Sequence, residues 1–120
     1  MIVDLQAADK GQAIEELVGH LVAGRKSLQK HRDAILAAVK KRESILSTAI
    51  GSGIALPHAT VPFVSDVISV MGRSKAGIDF NAPDTKPVHK VILFLLPFGN
   101  LQKYQNTLAE MAQLAHEAQL

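Results

Sequence analysis

The sequence predicts a layered α/β (α+β) domain in which helices flank a mixed central β-sheet. Three observations support this fold class. Two amphipathic helical segments are followed by a run of short apolar segments rich in β-branched residues, and a further helical segment comes last. The composition is that of a globular protein, with 48% hydrophobic and 20% charged residues. At 120 residues the chain is long enough for one packed core, so we expect a single domain over residues 1–120.

The first part of the chain is predicted to form a strand and two helices. Residues 2–5 are apolar and partly branched, which favours a short strand. Asp9 is suited to cap a helix, and apolar residues then recur every three or four positions from Ala13 to Val22. Gly24 is predicted to end that helix. A second, basic helical segment is predicted over Ser27 to Arg42.

The second part of the chain is predicted to be mainly β-structure. Val88 to Leu96 is a nearly continuous apolar run, typical of a strand that is buried on both faces. Residues 81–87 are dense in turn formers, and an apolar stripe at helical spacing predicts a helix over Leu101 to Leu120. The other predicted elements are a short strand before Pro57, a loop at Ala59–Phe63, a strand at Val64–Arg73, a turn at Lys75–Gly77 and a strand at Ile78–Phe80.

The stretch from Arg42 to His58 carries the residues most suited to chemistry. His58 follows a short apolar strand and a proline, and an imidazole held by a loop on a rigid frame titrates near neutral pH. Flexible glycines, hydroxyls and free turn amides beside it form a setting suited to a transferable phosphoryl group. The residues that supply these features are Ser47, Thr48, Gly51, Ser52 and Gly53.

Residues 42–58 read R-E-S-I-L-S-T-A-I-G-S-G-I-A-L-P-H. This run resembles the active-site signature of enzyme IIA domains of the phosphotransferase system, of the fructose/mannitol type that includes nitrogen-regulatory relatives. Gly77–Phe80, Pro87–Pro97 and Leu108–Met111 also look like this family. The resemblance implies a mixed central sheet with helices on both faces. It also implies that His58 accepts a phosphoryl group from a histidine-phosphorylated carrier protein of the HPr type.

The resemblance implies further that Arg42 lies near His58, where a guanidinium suits phosphate. As an acceptor, His58 needs one ring nitrogen free to attack phosphorus and a hydrogen bond at the other. Candidates for neutralising the phosphoryl oxygens are Arg42, Thr48 and Ser47, with phosphate contacts from Gly51, Ser52 and Gly53. His89, at the start of a strand, is more often structural in such a position but is kept as a secondary candidate.

One position departs from the family pattern. Members of the family carry a second histidine at the start of the final long helix, and Thr107 occupies that place here. Threonine donates a hydrogen bond but carries no positive charge. This change favours a role in which the phosphorylation state of His58 is itself the signal over onward transfer to a sugar-specific partner. The chain also stops inside its helical pattern at Leu120, so we expect it to be shortened there relative to the family.

Several partners and functions stay open on the sequence alone. The phosphoryl group is expected to pass to a IIB domain of sugar transport or to regulate a target protein, and a homodimer is left open. One alternative is a regulatory binding module with little or no onward transfer. Another is a non-phosphorylated structural domain that derives from a larger transporter or sensor.

Composition argues against other classes of function. A net charge of +2 with scattered basic residues, one Tyr and four Phe gives no surface for nucleic acid. The chain has no cysteine and its five histidines lack ligand spacing, so we expect no metal and no cofactor. The longest apolar runs are too short for membrane insertion. The missing cysteines and the absence of a leader pattern at residues 1–4 fit a cytoplasmic protein.

Overall fold

The computed structural model describes residues 2–98 together with residues 106, 109, 110 and 113. Within residues 2–98 one strand is followed by three helices and then by five strands, the last of which is the nearly continuous apolar one. In chain order the elements are β1 (Ile2–Asp4), α1 (Lys10–Ala23), α2 (Lys26–Gln29), α3 (Arg32–Ile45), β2 (Ala49–Gly51), β3 (Ile54–Ala55), β4 (His58–Val61), β5 (Ile68–Ile78) and β6 (Val88–Pro97).

The strands form one mixed sheet whose central member is β6. The strand order is β1-β5-β6-β3-β2, and β4 also pairs with β6. β5 runs antiparallel to β6, whereas β3 and β4 run parallel to it, one after the other along its length. β1 extends the sheet by pairing in parallel with β5. The mixed sheet flanked by helices that the sequence predicts is therefore confirmed.

Both faces of β6 are buried, as its apolar run predicts. Val91, Leu93 and Leu95 belong to a core cluster that also contains the buried apolar residues of α1, α2 and α3. Ile92 and Phe94 point to the other face and join a second cluster with residues of the segment before His58. The helices among residues 2–98 thus pack against the first face. The predicted closing helix lies outside the described residues except at positions 106, 109, 110 and 113, which are helical.

The first helix follows the sequence closely. Asp9 precedes α1, and its Oδ1 accepts a hydrogen bond from Gln12 N at 2.8 Å. The apolar residues at helical spacing are the ones that are buried. Gly24 ends the helix in an ordinary right-handed conformation, with φ −84°, so its role does not depend on a left-handed backbone.

The prediction of one helix over Ser27–Arg42 is wrong. The segment divides into the single turn α2 and the longer α3, which begins after His31 and continues to Ile45. The His31 ring stacks on Phe63, with ring centroids 3.9 Å apart, and this long-range contact lies at the break. The continuation past Arg42 places Glu43 in the last turn of α3, where its side chain is buried.

The prediction of a loop at Ala59–Phe63 is also wrong in part. Residues 58–61 form β4, which pairs in parallel with Phe94 to Pro97 of β6. Ala59 and Val61 are buried while Thr60 is exposed, so the alternation of a strand is present but covers only four residues. Such a short segment becomes a strand because β6 supplies the partner. β2 likewise lies within the stretch for which the sequence predicts only turn amides, hydroxyls and flexible glycines.

The predicted boundaries of the next strands are shifted in the structure. β5 starts at Ile68 and runs through the predicted Lys75–Gly77 turn, with an irregularity in its pairing to β6 between Arg73 and Ile78. Gly77 adopts φ 87° there, so the turn signal in the sequence marks a bulge within one strand. The 81–87 segment is irregular, as predicted.

None of the helices in residues 2–98, or at the four further described positions, combines the length and the apolar character that a bilayer crossing requires.

A substitution at Gly72 in β5 tests how closely α1 packs against the sheet. A Cβ at this position would lie 2.9 Å from side-chain atoms of Leu17 and Leu5, so Gly72→Ala should lower the free energy of unfolding by about 1–3 kcal/mol through overpacking. Gly19→Ala is the matched control, because nothing lies within 4 Å of its new methyl group, and helix propensity should raise stability by about 0.5–1 kcal/mol. Urea denaturation measures both. Equal effects of the two changes would contradict the close packing at Gly72.

Candidate functional site

His58 is anchored by its backbone to the central strand. It is the first residue of β4 and lies opposite Phe94 of β6. The preceding residue takes part as well, since the carbonyl of Pro57 accepts a hydrogen bond from Phe94 N at 3.0 Å. The side chain of His58 is half-buried. The reactive candidate therefore belongs to the sheet, not to a loop as predicted.

The imidazole of His58 has a defined orientation. Its Nδ1 lies 2.8 Å from the carbonyl oxygen of Leu56. A carbonyl only accepts hydrogen bonds, so Nδ1 must carry the hydrogen. In a neutral ring with that tautomer the lone pair is on Nε2. The geometry thus leaves Nε2 as the nucleophilic atom.

The surroundings lower the pKa of His58 below the ordinary 6.5 of histidine. Burial is the largest cause, because it disfavours the charged ring. The hydrogen bond to Leu56 opposes this effect, the positive charge of Arg42 adds to it, and the negative charge of Glu43 opposes it. At neutral pH the ring is therefore uncharged and its lone pair is available.

Glu43 is a buried carboxylate beside this site that the sequence reasoning did not single out. Its side chain is only 4% exposed. Its Oε2 accepts from Thr48 N at 2.9 Å, and its Oε1 accepts from Thr48 Oγ1 at 2.6 Å. The available signal was its place directly after Arg42 in the quoted run. The carboxylate fixes both the backbone and the hydroxyl of Thr48.

Thr48 is connected in turn to the segment that carries His58. The carbonyl of Thr48 accepts a hydrogen bond from Leu56 N at 3.1 Å, and the carbonyl of Leu56 is the group that accepts from His58. A continuous path therefore runs from Glu43 to His58 through three sets of hydrogen bonds and the backbones of Thr48 and Leu56. We call this path the Glu43–His58 chain.

Arg42 and Ser47 are held close to the same segment. Arg42 Nη1 donates to the carbonyl of Leu46 at 2.8 Å, which leaves further N–H groups on its guanidinium. Ser47 Oγ donates to the carbonyl of Phe80 and accepts from Ala49 N. Both predicted hydroxyls, on Ser47 and Thr48, therefore donate to protein acceptors, so neither O–H is directed at a phosphoryl group on His58.

The glycine turn, residues 51–53, lies beside the start of β6, whereas His58 lies beside Phe94 further along that strand. Gly51, Ser52 and Gly53 all have positive φ values, of 89°, 58° and 77°. The amide of Ser52 donates to Asp84 Oδ2 at 3.0 Å. This bond and a second one from Lys86 N hold the pKa of Asp84 below its usual value. The Ser52 amide, which was predicted to bind phosphate, thus donates to the carboxylate of Asp84.

His89 is associated with that turn. Its amide donates to the carbonyl of Gly53 at 2.9 Å, and its ring Nδ1 lies 2.8 Å from the carbonyl of Ser74. Phe94, the partner of His58, lies five residues further along β6, which corresponds to about 17 Å at roughly 3.3 Å per residue. The structure therefore does not bring His89 or the glycine turn next to His58. Thr107, the remaining candidate, lies outside the described residues.

Two large apolar side chains at the C-terminal end of α3 lie three and four residues after Arg42. They are Ile45 and Leu46, which are 73% and 69% exposed, and we call them the apolar rim. Over the part of the chain that the structure describes, no group of three or more His, Cys, Asp or Glu residues is placed to hold a metal ion. What the site offers is an oriented neutral imidazole, a guanidinium and an apolar rim.

Comparison with known proteins identifies the family. The family model described as "Phosphoenolpyruvate-dependent sugar phosphotransferase system, EIIA 2" matches residues 1–120. The chain belongs to this family. The resemblance that the Arg42–His58 run indicates is thereby confirmed, and the match extends over the whole chain.

Curated relatives of this EIIA-family chain carry two kinds of name. A fructose-specific EIIA component of Haloferax volcanii is 38% identical over 92% of this chain and 71% of its own length. A nitrogen regulatory protein of Bradyrhizobium diazoefficiens is 32% identical over 94% of this chain and 72% of its own length. A fructose-specific EIIABC component of Bacillus subtilis is 31% identical over 93% of this chain, which spans only 17% of that longer protein.

Solved structures confirm the fold. The nitrogen regulatory protein IIA-Ntr of Neisseria meningitidis superposes with a TM-score of 0.80 at 23% identity, covering 93% of this chain and 75% of that one. The mannitol IIA of Escherichia coli gives 0.72 at 24% identity, covering 91% and 77%.

The lowered pKa of His58 leads to a pH-dependent contribution to stability. Because the folded state holds a less basic His58 than the unfolded state, the unfolded state binds the proton first as the pH falls. This contribution is therefore present above about pH 6.5 and is lost as the pH falls through the folded pKa. We expect the ring to titrate below 6.5 by NMR, and His58→Gln to lose less stability than the wild type as the pH falls below about 6.5. A midpoint at or above the ordinary value would contradict the burial argument.

Proposed function

We propose that this domain accepts a phosphoryl group on Nε2 of His58 from a histidine-phosphorylated carrier protein of the HPr type. The observation that carries the proposal is the hydrogen bond between His58 Nδ1 and the carbonyl of Leu56. It fixes the tautomer that leaves a lone pair on Nε2, and the lowered pKa keeps this ring uncharged. Membership of the EIIA family supports phosphoryl transfer as the chemistry.

The proposed transfer requires only the two histidines and the phosphoryl group that passes between them. The lone pair of Nε2 forms a new N–P bond while the N–P bond of the donor phosphohistidine breaks, and the donor imidazole keeps that electron pair. The Nδ1 proton stays between His58 and the carbonyl of Leu56, so the His58 ring gains positive charge as the phosphoryl group arrives. Catalysis then consists mainly of positioning and neutralisation of the phosphoryl oxygens. Arg42, with N–H groups beyond the one bonded to Leu46, is the proposed partner of those oxygens.

The other predicted site residues take supporting roles in this proposal. Ser47 and Thr48 hold the backbone on the approach to His58, because their hydroxyls donate to internal acceptors. The Gly51–Gly53 turn and His89 stabilise the far end of the β2–β3 hairpin. Whether Thr107 contributes a hydrogen bond stays a prediction.

The destination of the phosphoryl group is proposed to be a IIB domain or a regulated protein. A solved complex that the chain resembles at 22% identity joins enzyme IIA of mannitol to phosphorylated enzyme IIB. The second candidate is a regulatory signal with little onward transfer, which is favoured by Thr107 at the place of the family's second histidine and by the nitrogen regulatory relative at 32% identity. In either case we propose one domain, residues 1–120, acting in the cytoplasm.

The apolar rim formed by Ile45 and Leu46 is proposed as the docking surface for the phosphocarrier. A donor phosphohistidine must reach bonding distance of Nε2, so the donor's surface has to cover the residues beside Arg42. Large apolar side chains that are mostly exposed at such a place are typical of a transient interface.

Phosphorylation itself gives the first test. After incubation with phosphoenolpyruvate, enzyme I and a phosphocarrier, intact-mass analysis should show one acid-labile phosphoryl adduct on the wild-type domain. His58→Gln should show none, because the nucleophilic nitrogen is gone. His89→Gln is the matched control and should be labelled like the wild type. An adduct that persists in His58→Gln and disappears in His89→Gln would contradict the proposed acceptor.

The docking surface gives a separate kinetic test. Leu46→Ser should raise the KM for the phosphocarrier at least about tenfold, since burial of one leucine contributes roughly 1.5–3 kcal/mol, while kcat stays near the wild-type value. Phe98→Ser is the control, because Phe98 is 65% exposed but follows the end of β6 that pairs with Val61, away from His58. Equal effects of the two changes would argue against a rim specific to the site.

A chase experiment distinguishes transfer of the phosphoryl group to a IIB domain from its use as a regulatory signal. Phosphorylated domain is mixed with purified IIB domains, and loss of the adduct is followed by intact mass. Transfer at a rate comparable to labelling supports the sugar-transport role. A stable adduct that changes binding to a target protein supports the regulatory role.

A further inference from the structure

Glu43 is a buried charge in an unfavourable place. It is 4% exposed, and among the described residues none of the ion pairs includes it. Burial of a carboxylate is costly unless hydrogen bonds compensate it. Its position in the last turn of α3 adds to the cost, because the C-terminal end of a helix is the negative end of its dipole. The two hydrogen bonds that Glu43 accepts from Thr48 are what offsets this cost, so the buried carboxylate is tied to Thr48.

The contacts of Glu43 lead to the reactive imidazole. Both carboxylate oxygens are bound by Thr48, at 2.9 and 2.6 Å. Thr48 binds Leu56 N through its carbonyl at 3.1 Å, and Leu56 binds His58 Nδ1 at 2.8 Å. Each link of the Glu43–His58 chain fixes the next, so a change at the carboxylate alters the placement of the carbonyl that orients the ring.

We propose that Glu43 is a positioning residue for phosphoryl transfer at His58. Through the Glu43–His58 chain it holds the ring with Nε2 free, and its negative charge stabilises the positive charge that the ring gains during transfer. This inference rests on the proposed function of His58 as the phosphoryl acceptor.

The charges of Arg42 and Glu43 have opposite effects on the His58 ring. Arg42 disfavours a positive imidazole, whereas Glu43 favours it; the two residues shift the pKa of His58 in opposite directions. During transfer the ring becomes positive while the phosphoryl oxygens stay negative. A guanidinium suits the oxygens and a carboxylate suits the ring, so adjacent residues 42 and 43 match opposite ends of the new N–P bond.

The test removes the negative charge of Glu43 and keeps the size and shape of its side chain. In Glu43→Gln, one oxygen that accepts from Thr48 becomes an amide donor, so the chain loosens and the negative charge is lost. We expect the phosphorylation rate to fall about tenfold to a hundredfold, the scale seen when a group that orients a functional imidazole is removed, mainly in kcat. Glu15→Gln is the matched control: it removes an exposed carboxylate paired with Lys40 on another helix and should leave the rate unchanged.

NMR of the unphosphorylated protein provides a measurement that a purely structural role of Glu43 would leave unchanged. Long-range ¹H–¹⁵N NMR of the His58 ring should show the Nδ1–H form in the wild type. In Glu43→Gln the ring should show a mixture of tautomers and a lower pKa, because the opposing charge has been removed. Unchanged ring signals and an unchanged rate in a folded Glu43→Gln would overturn the proposal.

Thr48 provides the second variant in case Glu43→Gln does not fold. Thr48→Val removes the hydroxyl link but keeps the charge, and should slow labelling; Thr48→Ser restores the hydroxyl and should restore the rate. Equal rates for Thr48→Val and the wild type would contradict the chain. Failure of the proposed function is distinguishable, because then the wild type itself would carry no adduct while the NMR comparison would still report on the ring.

Discussion

The hydrogen bond from His58 Nδ1 to the carbonyl of Leu56 is the contact on which the functional account depends. It is 2.8 Å long and connects residues two apart in the chain, so the local backbone alone sets its geometry. That backbone is not free to vary. Leu56 N is bound to Thr48, and Pro57 and His58 are bound to β6. The orientation of one imidazole is thus the joint result of a helix end, a hairpin and the central strand.

The sheet explains why this segment is rigid enough. β3 and β4 pair with β6 one after the other, with Leu56 and Pro57 between them, and the carbonyl of Pro57 also accepts a hydrogen bond from Phe94 of β6. Because β6 is buried on both faces, it cannot shift without loss of packing on either side. A phosphoryl acceptor benefits from such a frame, since transfer between two proteins requires the nucleophile to be placed before the partner arrives.

Local signals were sufficient to predict the parts of the fold that local physics decides. Asp9 at the start of α1 and the apolar run of β6 are recognisable without a partner, and both were predicted. β4 was missed because four residues adopt a strand only when β6 lies beside them. The break between α2 and α3 was missed because the contact at that point joins His31 to Phe63, 32 residues away in sequence.

The same distinction applies to the site. The resemblance of the Arg42–His58 run pointed to His58, and the structure places Arg42 and Thr48 in its neighbourhood. The glycine turn was expected beside the imidazole because it is close in sequence, but the β2–β3 hairpin carries it to Asp84 and His89. Glu43 was overlooked because a glutamate in a basic helical segment is ordinarily solvated. Only the folded chain shows that this carboxylate is turned inwards towards Thr48.

The most direct test of the account is the position of the phosphoryl group on the ring. ³¹P-coupled ¹H–¹⁵N NMR of the phosphorylated, ¹⁵N-labelled domain distinguishes the two ring nitrogens of His58. The account requires phosphorus on Nε2 with a hydrogen retained on Nδ1, because Nδ1 is engaged by the carbonyl of Leu56. Phosphorus on Nδ1 would require that hydrogen bond to break and would contradict the central claim.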